Sequence, residues 1–231
     1  MRYSKISSAT FIKRPNRFIA KVMLDGEETT VHVKNTGRCE EILVPDTEVI
    51  LAHSDNPDRK TKYDLVSAYK GDLLINIDSQ APNKVYGEAL ADGRIYGDVS
   101  IRPEKTHGDS RFDFYIEKDG KGNFTEVKGV TLENDGTVLF PDAPTERGVK
   151  HLRGLARSIS EGFNASAVFI VQMSEADYFT PNYEMHEEFG IALEEAAKAG
   201  VDVTAYTCHV TEDSVELSEQ IPVKLRNGIK L

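Results

Sequence analysis

The chain has 231 residues, 39% hydrophobic and 29% charged, with 28 basic against 38 acidic side chains and a net charge of −10. That is a globular composition. No apolar run approaches the roughly 20 residues of a membrane span, and "MRYSKISSATFIKRPNRF" at the N-terminus has no apolar signal-peptide core. Cys39 and Cys208 stand far apart with no disulfide or metal spacing, as in a reducing compartment, so the expected location is the cytoplasm, with no membrane partner. The acidic balance argues against nucleic acid, but its distribution does not: residues 1–21 hold Arg2, Lys5, Lys13, Arg14, Arg17 and Lys21 and no acid. Exposed charges further away than about 8–10 Å are screened.

In chain order, "ATFIKRPNRFIAKVML" (9–24) reads as a hairpin around Lys13-Arg14-Pro15-Asn16, and "TTVHVK" (29–34) alternates with period two, as a strand does. "NTGR" (35–38) is a turn presenting Arg38, and "VPDTEVILAHS" and "NPDRKTKYDLVSAYKGDLLINID" supply further strands. Five or so short strands in about 80 residues predict a small antiparallel barrel of OB type. "SQAPNK" (79–84) reads as the boundary, dividing the chain into 1–82 and 83–231.

The second part begins with a short helix in "VYGEALADGR" and a hairpin over 112–130. "APTERGVKHLRGLARSISEG" is a helix with Val149, Leu152, Ala156 and Ile159 on one stripe and Lys150, Arg153 and Arg157 beside it, a cationic row that could follow phosphates. "SAVFIVQM" reads as a strand covered on both faces, "YEMHEEFGIALEEAAKAG" as a second helix, "VDVTAYTCHV" as a strand, and "EDSVELSEQIPVKL" as a last edge strand. The whole is a mixed α/β layer arrangement.

The hairpin "FDFYIEKDGKGNFTEVKGV" carries the chemistry. Asp119-Gly120 is a two-residue type I′ turn signal. It pairs Lys118 with Lys121 and, counting outward, sets Asp113 opposite Glu126, with Lys128 on the same face and Phe112, Phe114 and Val127 on the other. A single-residue bulge at Gly122 would instead move Asp113 across the sheet. Two facing carboxylates about 5 Å apart repel, and a divalent cation removes the conflict. Mg²⁺ or Mn²⁺ with one or two carboxylates, phosphate oxygens and a lysine beside them is suited to phosphodiester hydrolysis. The competing reading is a plain solvated hairpin face. No Walker loop or GxGxxG is present, so no nucleotide cofactor is expected. The six histidines form no metal motif and read as structural or surface residues.

The motifs "SRFDF", "TEVKGVTL", "FPDAPTERGVKHLRGL", "RFIAKVMLDG" and "NTGRCEEILVPDTEV" resemble the sugar fermentation stimulation protein A family over essentially the whole length. The resemblance implies an N-terminal OB-like barrel, a C-terminal restriction-endonuclease-like domain of PD-(D/E)xK type, DNA binding, and nuclease activity on DNA or RNA. It matches Asp113, Glu126 and Lys128 to that motif and suggests Glu88 of the preceding helix as a further metal ligand. Lys13, Arg14, Arg17 and Arg38, with Lys150, Arg153 and Arg157, are the expected nucleic-acid contacts. The family is also described as a DNA-binding regulator of sugar metabolism, so a non-catalytic binder that keeps the nuclease fold is the alternative.

Overall fold

Period-two apolar residues build the first unit of the computed structural model, which describes residues 1–35, 37–56 and 58–226. Strands β1 (Ile6–Asn16), β2 (Ile19–Leu24), β3 (Glu27–Val33), β4 (Glu48–His53), β5 (Tyr63–Lys70) and β6 (Leu73–Asn76) lie in the order β3-β2-β1-β4-β5-β6. A parallel β3–β5 pairing closes the first five into a barrel. Phe11, Val22, Val31, Val33, Val49, Leu51 and Leu65 fill it and are buried. The first hairpin turns at Arg17-Phe18 rather than at Lys13-Arg14-Pro15-Asn16, because Asn16 pairs with Ile19. Its Oδ1 accepts from the amides of Phe18 (2.9 Å) and Ile19 (3.1 Å), a side-chain turn that displaces the bend toward the C-terminal side.

Closure is stapled at one point. His32 and Asp64 are register partners in the β3–β5 pair, and His32 Nδ1 donates to Asp64 Oδ1 at 2.9 Å. Arg59 grips the same carboxylate with both terminal nitrogens, at 2.7 and 3.0 Å. Burial pushes the Asp64 carboxyl up, but the Arg59 and His32 bonds outweigh it and hold the group below the usual carboxylate range.

The second unit comprises α1 (Ala81–Ala91), β7 (Ser100–His107), β8 (Ser110–Lys118), β9 (Lys121–Val130), β10 (Leu132–Asn134), β11 (Thr137–Phe140), α2 (Glu146–Ser160), β12 (Asn164–Val171), β13 (Tyr178–Pro181), α3 (Glu187–Lys198), β14 (Asp202–Val210) and β15 (Val215–Ile221). Its main sheet runs β15-β14-β12-β9-β8-β7, with a small sheet β10-β11-β13 beside it. Leu152 and Leu155 of α2 and Phe189 and Leu193 of α3 pack with Phe169 on one face, while Val85, Tyr86 and Leu90 of α1 pack with Val168 and Ile170 on the other. Helix α1 starts earlier than its sequence pattern indicates, inside "SQAPNK", with a proline in its first turn, where the missing N–H costs nothing. Among the described residues no helix is long and apolar enough to cross a membrane.

The first residues touch both units: Tyr3 packs against Ile50, Ala52 and Val66 of the barrel, and the same segment pairs with the second unit. Arg2 bridges Ser214, Tyr3 N–H donates to Asp213 O at 2.7 Å, and Val215 N–H donates to Met1 O at 3.0 Å. The units are also joined at the end of β6. Asn76 N–H donates to Gln172 O at 2.8 Å, and Gln172 Nε2 returns bonds to Asn76 Oδ1 (2.9 Å) and Asp78 O (3.1 Å).

Asp64→Asn should therefore loosen barrel closure. A carboxyl held below its unfolded value stabilises the fold above that value, about 3.9 for Asp, and ceases to do so as pH falls through the folded one. At neutral pH we expect a loss of about 2 kcal/mol, a Tm lower by about 4–8 °C. Melts at a pH well below the ordinary carboxylate value should coincide for the two proteins, and a deficit unchanged by pH would show that the ion pair is not its source.

Candidate active site

The hairpin forms as its turn residues require. Asp119 and Gly120 both take positive φ (52° and 76°), Lys118 pairs with Lys121, and the register continues to Phe114↔Thr125 without a bulge at Gly122. Beyond that pair the strands diverge. Val127 N–H donates to Asp113 Oδ2 at 2.8 Å instead of to a backbone carbonyl of β8. On the outer side, Glu104 of β7 takes φ 55° between the pairs Pro103↔Phe114 and Lys105↔Phe112. Side-chain alternation therefore breaks at Asp113. Phe112 packs on Phe124 (ring centroids 5.6 Å) and His151 (6.0 Å), whereas Phe114 packs on Tyr86 of α1 (5.6 Å). The expectation that Phe112 and Phe114 share a face fails because the carboxylate, not the ladder, takes the Val127 amide.

Glu126 lies in the middle of the sheet, buried, with Ala167 of β12 as its parallel partner. Lys128 Nζ and His151 Nδ1 both donate to its Oε1. Its Oε2 is buried and has no hydrogen-bond partner among the described residues. Burial pushes the Glu126 carboxyl up, but the His151 bond and the Lys128 charge and bond outweigh it, so the group sits below the ordinary value. Asp113 goes the other way: burial, then the negative charge of Glu126, raise it above the ordinary value against the Val127, Lys128 and Asn83 contributions. The two carboxylates thus sense each other, and the lysine is the shared counter-charge.

Helix α2 supplies His151, which sequence reasoning placed among the structural histidines. Thr145 caps the helix by accepting from Gly148 N–H at 3.1 Å. At Gly154 a Cβ would press on the Phe112 ring at 3.1 Å, so glycine there lets α2 settle on the sheet and brings His151, one turn earlier, to Glu126. Arg147 Nε donates to His151 Nε2 at 3.4 Å, an arrangement that fits the neutral Nδ1–H tautomer. The available signal was the position of His151 on the buried stripe with Gly148, Leu152 and Leu155.

Other predicted residues fall elsewhere. Glu88 is not a ligand beside Asp113: its carboxylate accepts from the Met1 amine at 2.6 Å. Helix α1 contributes Asn83 instead, whose Nδ2 donates to Asp113 Oδ1 at 2.8 Å. Five residues at 3.6 per turn set the two side chains about 140° apart, so both cannot face the site. Arg14 is spent on structure, its guanidinium donating to the carbonyls of Gly37, Arg38, Arg17 and Asn35 at 2.6–2.8 Å. Lys13, Arg17 and Arg38 are exposed near that clamp. The α2 row is engaged in ion pairs: Lys150 and Arg157 share Asp109, and Arg153 pairs with Glu188.

Comparison with known proteins agrees with this architecture. The model described as "SfsA N-terminal OB domain" matches residues 12–77, and the one described as "Sugar fermentation stimulation protein RE domain" matches 80–214. A sugar fermentation stimulation protein homolog of Desulfitobacterium hafniense (strain Y51) is 53% identical over 228 residues, 99% of this chain and 100% of that protein. The homolog of Clostridium beijerinckii is 52% identical over 226 residues, 97% and 100% of the two chains. The solved structure of Pyrococcus furiosus SfsA in complex with Ca²⁺ has a TM-score of 0.89 and 24% identity, over 97% of this chain and 98% of that one, a likeness of fold.

The opposite displacements of Asp113 and Glu126 have opposite consequences for stability. Ionised Asp113 weakens the fold as pH rises through its raised value, whereas ionised Glu126 strengthens it above the ordinary value. In metal-free buffer at neutral pH, Asp113→Asn should gain about 1 kcal/mol and Glu126→Gln should lose about 2 kcal/mol. Thermal melts in chelator decide this, and equal signs for the two variants would contradict the electrostatic assignment.

Proposed function

The chain belongs to the sugar fermentation stimulation protein family, and on that premise we propose that it binds nucleic acid and hydrolyses phosphodiester bonds with a divalent cation, Mg²⁺ or Mn²⁺, through a PD-(D/E)xK arrangement. The observation that carries this reading is the unpartnered, buried Oε2 of Glu126 beside an Asp113 whose negative charge is disfavoured. A cation between them fits both facts, since hard cations take carboxylate oxygens. The Pyrococcus furiosus protein of the same fold was solved in complex with Ca²⁺, also a hard divalent cation. Asp113 and Glu126 would hold the ion; once bound, it supplies Lewis-acid polarisation of a phosphoryl oxygen and a more acidic water.

The chain's own groups do the rest. His151 and Lys128 keep Glu126 ionised and fix its Oε1, leaving Oε2 to bind. Asn83 and the Val127 amide orient Asp113. Lys128, with one-fifth of its side chain exposed, carries positive charge to where negative charge would build up on the phosphoryl oxygens in the transition state. Lys13, Arg17 and Arg38 on the barrel would bind phosphates away from the scissile one.

Cleavage of labelled single- and double-stranded DNA and RNA in Mg²⁺ or Mn²⁺ tests the proposal. Lys128→Ala should lose on the order of 10²–10³ in rate while calorimetry shows metal affinity kept, whereas Asp113→Ala should lose metal as well. Absence of metal-dependent cleavage in the wild type would leave a binding protein.

Binding should depend steeply on salt, log K falling by about 0.7–0.9 per phosphate neutralised for each unit of log salt. Replacing Lys13, Arg17 and Arg38 together by Ala should flatten the slope by about 2–3 units. Replacing Lys150, Arg153 and Arg157, already paired with acids, should change it much less. The reverse ranking would put the binding face on α2.

A further inference from the structure

We propose that the barrel receives single-stranded nucleic acid, one base stacking on Phe18 and the strand following a groove past Gly37 toward Lys128. The inference rests on the nucleic-acid reading above and adds the strandedness of the ligand and the residue that selects it.

Phe18 is 51% exposed, at the tip of the first hairpin. Exposure alone would mean little, but its backbone is held on both sides. Its N–H donates to Asn16 Oδ1, and its carbonyl accepts from Val33 N–H at 2.8 Å. The Arg14 guanidinium ties Arg17, the preceding residue, to the 35–38 loop. A ring carried by so fixed a turn loses little freedom on binding.

The charge around it is unbalanced. No ion pair among the described residues involves Lys13, Arg14, Arg17 or Arg38, although the chain as a whole carries −10. On α2, by contrast, every member of the cationic row is ion-paired, Lys150 and Arg157 sharing Asp109 and Arg153 taking Glu188. A fixed aromatic face among unpaired cations is complementary to an anionic chain that offers flat apolar groups. Unpaired bases on a phosphate backbone have both properties, and such stacking is a main source of single-strand affinity. In a duplex the base faces are covered by their neighbours, so Phe18 has nothing to stack on.

The groove gives direction. One lobe, of about 310 Å³, lies between Arg14, Arg17, Gly37, Arg38 and Leu43. A second, of about 170 Å³, lies between Asn35, Gly37, Ser79, Gly129 and Phe140. Gly37 borders both, and Gly129 follows Lys128 directly. The two lobes thus run from the foot of the first hairpin, at Asn16 and Arg17, to the junction of the two units beside the end of β9. Glu40 and Asp142 are the acids along it, and Asp142 already accepts from Arg38 N–H at 3.1 Å.

The test is binding without cleavage: fluorescence anisotropy in chelator, with a labelled oligothymidine, an oligouridine and a duplex of equal length. The wild type should prefer the single strands. Phe18→Ala should lose on the order of ten-fold in single-strand affinity and little for duplex, whereas Met23→Ala, at another exposed apolar position on the barrel (41%), should lose nothing. The chain has no tryptophan, so the indole introduced by Phe18→Trp is a unique reporter. It should retain affinity and be quenched by the single strand. Equal affinity for single strand and duplex, or binding that ignores Phe18→Ala, overturns this inference and leaves the broader reading standing. No binding of any of the three overturns both.

Discussion

The bonds from His151 and Lys128 to Glu126 allow a carboxylate to stay ionised in the middle of a six-stranded sheet. An unpaired charge there costs several kcal/mol, and the two donors come from different elements, so the pairing constrains how those elements meet. Helix α2 must lie close enough for His151 to reach β9, which is where the glycine over Phe112 matters. Strand β9 must carry its lysine two residues on, on the same face. Both donors converge on Oε1. That asymmetry leaves the second oxygen as an uncommitted acceptor in a place where buried acceptors are normally satisfied, and its neighbour Asp113 is the group that a bound cation would relieve most.

How much of this was legible in the sequence depends on the range of the interaction. Asp119-Gly120 set the hairpin register by local turn chemistry, and the counted pairs hold as far as Phe114↔Thr125. The counting fails beyond that pair, at Asp113 and Phe112, because it assumed that the backbone ladder continues. The Asp113 side chain ends the ladder by taking the Val127 amide, and periodicity carries no trace of that. Glu88 was misplaced for a related reason: the pattern gave the helix but not its rotation about its own axis, which the packing of Val85, Tyr86 and Leu90 sets. His151 is a long-range partner, 25 residues from Glu126, and no spacing rule reaches that far. Its place on the apolar stripe of α2 was the available clue, since a polar residue there must find a partner. The barrel was readable from alternation alone, whereas its closing β3–β5 pair was not, being a contact between strands about 30 residues apart.

The junction of the two units bears on the site more than its few bonds imply. Gln172 extends β12 past its last paired residue and takes Asn76 of the barrel into the same network. A side chain at position 129 would collide with Gln172 and Pro82. The strand carrying Glu126 and Lys128 therefore has a glycine as its penultimate residue, where the barrel is attached. Asp142 continues the junction outward by binding the amide of Arg38. A rearrangement of the barrel against the sheet would disturb Gly129 before it disturbed Glu126 or His151, which makes the relative placement of the units part of the site's geometry.

Charge pairing, not charge density, separates the two cationic surfaces. By sequence the α2 row looks the better candidate for phosphate contact, with three cations at helical spacing close to the acids of the hairpin. In the fold each of them is already matched to Asp109 or Glu188, and binding phosphate there would first require breaking those pairs. Exposed pairs are weak, but displacing an acid that stays nearby also leaves that acid to repel the incoming phosphate. The barrel cations make no ion pair among the described residues, although Glu40 lines the same groove, and one of their number, Arg14, serves as the clamp that holds the others' loops in place. A chain of net charge −10 can in this way present a locally cationic surface, because at ordinary ionic strength the excess acid elsewhere lies mostly beyond a Debye length of about 8 Å.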